Sequence, residues 1–238
     1  MNEPQSPRPA ATVILLRPAQ PRGFEVLLTR RSATMAFLGG MYCFPGGTLR
    51  EEDCSDRMLA RSRGLTPNDA RAIVGAHFAP RKALALWLAA IRELFEEVGI
   101  LLATGAAGEP ILFDRTRMIE IHSALLAKTV TFQTVLEKDN LLCDTARLAY
   151  FSHWQTPADV ATRFDTHFFV AALPQDQSPL AISDEVAHSL WLTPDRALQL
   201  FDKAELPMIF PTFASLRALA DFDSLDRVLK EFQPRNSP

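Results

Sequence analysis

The stretch IRELFEEVGI, residues 91–100, places Glu93, Glu96 and Glu97 within five residues and gives them Arg92 as the only nearby cation. At 100° per residue, Leu84, Trp87, Leu88, Ile91, Leu94, Phe95 and Val98 fall in an arc of roughly 120°. The spacing therefore predicts an amphipathic helix from about Pro80 to Val98, ended by Gly99. Arg92, Glu93, Glu96 and Glu97 occupy an arc of about 140° on the other side of that helix. Like charges one turn apart weaken a helix by about 0.2–0.5 kcal/mol per pair. They also sit in the last turn, where the helix dipole already disfavours negative charge. A solvated acidic face is one reading of such a cluster. The other is a shared divalent cation, which reverses the sign of the repulsion, and hard carboxylate oxygens suit Mg²⁺ or Mn²⁺.

Outward from that helix, ATVILLRP (11–18) and FEVLLTRRS (24–32) are β-rich runs joined by AQPRG, the pattern of a hairpin. MYCFPGG (41–47) gives a short strand ending in two glycines, and Thr66-Pro67 begins a helix. Residues 115–139 read as helical. RLAYFSHW, FDTHFFVAAL and EVAHSLWL read as strands, and three short helices follow around 194–203, 211–221 and 224–232. Strands, a long helix, more strands and then helices predict an α+β or α/β/α sandwich around one sheet. Residues 1–10 read as a disordered lead and 233–238 as a loose tail, which leaves one domain over 11–232.

The residues R-E-L-F-E-E-V-G-I resemble the second half of the Nudix box, G-x5-E-x7-R-E-U-x-E-E-x-G-U, with U aliphatic. Arg92, Glu93, Leu94, Glu96, Glu97, Gly99 and Ile100 fill its positions. The FPGG ending at Gly47 is similar to the first half, but Gly47 and Arg92 stand 45 positions apart where the pattern has fourteen, an insertion of 31 residues. The pattern's first glutamate falls on Asp53 when counted from Gly47, and on Leu84 when counted back from Arg92. A split box of this kind resembles the Nudix branch that holds the peroxisomal coenzyme A diphosphatase and its bacterial relatives. LLTRRSATMAFLGGMYCFPGG (27–47), WQTP…RFDTHFF (154–169) and WLTP…FPTFASLRALAD (191–221) are similar to segments of that branch.

That resemblance implies a Nudix-type α/β/α sandwich with a mixed sheet, an insertion over about 54–84 and a helical C-terminal part. It also implies metal-dependent hydrolysis of a nucleoside diphosphate joined to another group, with coenzyme A or acyl-CoA yielding 3′,5′-ADP and a 4′-phosphopantetheine product. The alternatives are a Nudix hydrolase of ADP-ribose, NADH or a nucleotide sugar, and a Nudix-fold ligand sensor without catalysis. Glu93, Glu96 and Glu97 are the candidate ligands for Mg²⁺ or Mn²⁺. Glu185, and Asp184 beside it, are candidates for an extra ligand or base. Arg92 is assigned to orienting the glutamates through a bidentate contact. Gly46 and Gly47 let a loop pass close to the helix. Arg30 and Arg31 are candidates for a ribose phosphate. Phe37, Phe164, Phe168 and Phe169 read as adenine-stacking or core residues. His77, His153, His167 and His188 are scattered along the chain without a zinc spacing and read as structural.

A net charge of −3 supplies no basic field for a nucleic acid, so the expected partner is a small nucleotide substrate. No apolar run reaches the length of a membrane span. Three cysteines without a CxxC pair read as reduced thiols, and the compartment as cytoplasmic. The amphiphilic insertion reads either as a cover over the substrate cleft or as a contact between two copies.

Overall fold

Alternation along the strands assigns their residues to two cores. In β1 (Arg8–Pro18), Ala11, Val13 and Leu15 enter one core while Ile14 and Leu16 enter the other. β2 (Phe24–Arg31) divides Leu27 from Val26 and Leu28, and β9 (Phe164–Ala172) divides Phe169 and Ala171 from Phe168 and Val170. A sheet apolar on both faces needs cover on both faces. The computed structural model describes residues 6–35, 38–111, 113–180 and 186–233.

The main sheet runs β10 (Val186–Leu192), β2, β1, β9, β8 (Ala149–Gln155). Two short strands join it, β3 (Tyr42–Cys43) on β2 and β4 (Gly46–Thr48) on β1. β1 and β9 pair in parallel and the remaining pairs are antiparallel, so the sheet is mixed. A second sheet of three strands holds β5 (Ser62–Arg63), β7 (Leu141–Asp144) and β6 (Ala103–Gly105). The expectation of one sheet is corrected here. Strands of two to four residues leave no periodic trace, and only their partners define them.

On one face lie α1 (Asp56–Leu59), α2 (Pro67–Val74), α3 (Pro80–Val98), α4 (Arg115–Leu126) and α5 (Phe132–Lys138). On the other lie α6 (Pro194–Asp202), α7 (Phe210–Leu219) and α8 (Leu225–Phe232). The helix expected over 115–139 is two helices, parted at Ala127–Thr131, where Lys128 takes a positive φ and Thr131 caps α5. α2 starts as expected, with Thr66 and Asp69 forming a reciprocal capping box.

The expected N-terminal boundary moves. Residues 8–10 belong to β1, with Arg8 opposite Phe164 and Pro9 opposite Asp165, so strand pairing outweighs the proline-rich composition there. The insertion is packed into the fold. α1, β5 and α2 lie against α3 and the small sheet, with Met58, Ala70 and Val74 buried in the α3-side core. Among the described residues no helix is long and apolar enough to cross a membrane.

Candidate active site at the end of helix α3

α3 covers the sheet with Leu84, Trp87, Leu88, Ile91, Leu94 and Phe95, all buried, which turns its last two turns toward β4. Gly99 ends it in the left-handed region at φ 70°, and a Cβ there would lie 2.5 Å from Leu180. His122 Nε2 donates to the Glu96 carbonyl at 2.9 Å, and the Leu180 amide donates to the Val98 carbonyl, which satisfies two terminal acceptors of the helix.

Arg92 organises the polar face. Its Nε and Nη2 donate to the two oxygens of Asp53 at 2.8 and 2.9 Å, and its Nη2 also donates to the Thr48 carbonyl at 3.0 Å. Its Nη1 donates to Glu93 Oε1 at 2.5 Å and to Glu96 Oε2 at 3.1 Å. The bidentate partner is thus Asp53, and the glutamates take single hydrogen bonds, a correction to the expected bidentate grip on the glutamates. Asp53 sits in a 3₁₀ turn, Glu52–Cys54, just ahead of the insertion and is 2% exposed. It reaches Arg92 across 39 residues of chain. Burial works to lower Arg92, but the bonds to Asp53 and the charges of Glu93, Asp53 and Glu96 outweigh it and hold the guanidinium charged.

Arg50, absent from the sequence reading, donates to both Glu96 oxygens at 3.0 and 2.7 Å and lies 3.7 Å from Glu93. Its one sequence signal is its place three residues after the box glycine, just past the strand that passes the helix. Glu93 is pushed above the usual carboxylate range by burial, which the charge of Arg92 opposes. Glu97 is buried beside it, and its charge helps burial push the Cys43 thiol up to about 11.

The two glycines have a steric reason. A Cβ on Gly47 would lie 2.6 Å from the Glu93 carboxylate, and one on Gly46 would lie 2.5 Å from the Ala11 carbonyl oxygen. Only glycines let β4 pass between β1 and the acidic face of α3. Of the two arginines expected at the substrate, Arg31 ends β2 opposite Val186, and its charge and a side-chain hydrogen bond work to lower the Cys43 thiol that Glu97 raises. Arg30 donates to the Gly40 carbonyl and lies over the Tyr42 ring on an exposed edge. Phe168 and Phe169 are core residues, 5% and 0% exposed. Glu185, Asp184 and Phe37 lie outside the described residues. A cavity of about 130 Å³ opens beside Gly99, lined among others by Phe113, Arg115, Met118 and Ser178.

A mixed sheet between helical layers, with a glycine-lined strand pressed against an R-E-x-x-E-E helix end, is the architecture of the Nudix hydrolases. Within that class the chain belongs to the NUDT19 Nudix domain family, whose family model matches residues 7–219. It is similar to the acyl-coenzyme A diphosphatase NUDT19 of Gallus gallus, 27% identical over 252 residues, covering 90% of this chain and 65% of that protein. The Homo sapiens protein of the same name is 28% identical over 267 residues, covering 94% and 68%. The chain therefore spans about two thirds of the length of these curated relatives. A crystal structure of a NUDIX hydrolase from Alicyclobacillus acidocaldarius resembles it with a TM-score of 0.73 and 26% identity, over 95% of this chain and 96% of that one.

Proposed function

We propose that this chain hydrolyses the diphosphate of coenzyme A or acyl-CoA, releasing 3′,5′-ADP and (acyl-)4′-phosphopantetheine, with Mg²⁺ or Mn²⁺ held by Glu93, Glu96 and Glu97. The observation that carries this reading is the closed network of Asp53, Arg92, Glu93 and Glu96, which rejoins the two halves of the split box. The donor set fits a hard divalent cation. Asp53, Glu93 and Glu96 put three carboxylates against the two guanidinia of Arg92 and Arg50, before Glu97 is counted. The half-exposed guanidinium of Arg50 on Glu96 supports a carboxylate open to cations from the solvent side.

A bound ion of this kind supplies neutralisation of the diphosphate oxygens and an acidified water. The protein supplies the rest. Arg92, fixed by Asp53 and the Thr48 carbonyl, holds the Glu93 and Glu96 carboxylates in orientation at the helix end. One of these glutamates, or an acid from another element, accepts the proton of the attacking water at its carboxylate. Arg31, whose charge and side chain act on the Cys43 thiol that Glu97 also affects, is the arginine assigned to anionic oxygens of the substrate. The related enzymes from Gallus gallus and Homo sapiens carry the name acyl-coenzyme A diphosphatase, which favours coenzyme A over ADP-ribose, NADH or a nucleotide sugar.

The test is a substrate panel with Mg²⁺ and with Mn²⁺, read by chromatography and mass spectrometry of the products. Coenzyme A and an acyl-CoA should give the highest kcat/KM. Preferential turnover of ADP-ribose or NADH would overturn the substrate, and binding without turnover of every member would favour the sensor reading.

A further inference from the structure

The histidines that are scattered in sequence converge in space. β8 and β9 pair so that His153 stands opposite His167, and Asp165, two residues before His167, shares its face of the strand. One ligating atom from each of His153, Asp165 and His167 lies within 4.8 Å of the others. His153 Nε2 donates to Asp165 Oδ1, and the two imidazoles lie 4.6 Å apart between ring centroids. The hydroxyl of Tyr150 meets His167 Nδ1 at 3.0 Å. The other nitrogen of that fully buried ring, Nε2, has no hydrogen-bond partner among the described residues. Buried polar atoms in folded proteins are nearly always paired, with protein, water or a bound ion.

We propose that His153, Asp165 and His167 form a second metal site, for a divalent transition ion of the zinc class, separate from the glutamates of α3. Two imidazoles and one carboxylate are borderline donors that suit such an ion better than Mg²⁺, and three protein ligands leave a position for water. With Nδ1–H donating to the Tyr150 oxygen, His167 presents its Nε2 lone pair, the usual way an outer partner fixes a ligand's tautomer. The histidine rings are close to parallel, at 17°, so closing on one ion requires His153 to turn. It is free to do so, since its side chain is 40% exposed and β8 is an edge strand.

The cluster hangs on β8 and β9, whereas the glutamates face β4 and the turn that holds Asp53. Over it lies the last part of the insertion. The Phe78 ring packs edge-on against His167 at 5.1 Å, and the charge of exposed His77 acts on the same ring.

Co²⁺ is the probe, added to the full chain in a large excess of Mg²⁺ that saturates the glutamates, with retention after dialysis measured alongside the visible absorption of the cobalt. One equivalent should be retained, Glu97→Gln should retain it too, and His153→Ala should bind it at least tenfold more weakly. Asp165→Asn carries the comparison if His153→Ala does not fold. No cobalt retained over Mg²⁺, equal retention by the folded cluster variant, or loss on Glu97→Gln would each overturn the site.

Discussion

At the scale of single residues, Glu93 and Glu96 both already face Arg92 and Arg50. Glu96 is held by both Arg92 and Arg50, but Arg50 is 45% exposed and its ion pair lies on the solvent side. An exposed pair of this kind is worth about 0.2–1 kcal/mol. Arg50→Ala should therefore strengthen Mg²⁺ binding by about two- to fivefold, and calorimetric titration checks it. The glutamates, Arg92 and Gly47 are legible in the sequence because the box fixes their spacing. Arg50 is not, since nothing in the chain ties it to a residue 46 positions away. Asp53 is half legible. Counting from Gly47 finds it, and only the fold shows that its partner is the guanidinium of Arg92 and that it lies at the glutamates' side.

At the scale of elements, β4 and α3 are locked by contacts without slack. Gly47→Ala places a methyl group against the Glu93 carboxylate, so we expect a loss of about 1–3 kcal/mol in a urea melt together with a sharp fall in turnover. Asp53→Ala leaves the Arg92 guanidinium buried without its two-point partner, which should cost about 3–5 kcal/mol in the same melt. α3 could be read to the residue because Pro80 opens it, Gly99 closes it and one face is apolar throughout. The break at Ala127–Thr131 could not, since threonine caps and a left-handed lysine carry little signal inside a polar stretch. The small sheet escaped for a related reason. Its strands take their conformation from each other and from Arg61–Arg63 of the insertion, not from any local pattern.

At the scale of the whole molecule, the insertion is part of the core. Met58→Ala should destabilise the entire chain by about 2–5 kcal/mol, as a buried truncation does, and a single cooperative transition should report it. A loosely attached cover would leave the melting temperature unchanged. The second cluster adds a pH dependence. The folded His167 refuses a proton until about pH 4, while the unfolded chain takes one near 6.5. The unfolded state thus binds more protons in that window, so stability is full above about pH 6.5 and falls as the pH drops toward 4, by about 3 kcal/mol in all. With chelator present, His167→Gln should flatten that part of the profile. The two-sided core was legible from strands apolar on both faces, and the convergence of His153, Asp165 and His167 was not, because cross-strand register joins residues that spacing along the chain keeps apart.

The central claim is that a box divided by the insertion works as one site. Its most direct measurement is the release of 3′,5′-ADP from coenzyme A in Mg²⁺ by the wild-type chain and by folded Glu97→Gln. The wild type should release it, and kcat in the variant should fall by about a hundredfold or more. Equal rates in the two proteins would contradict it.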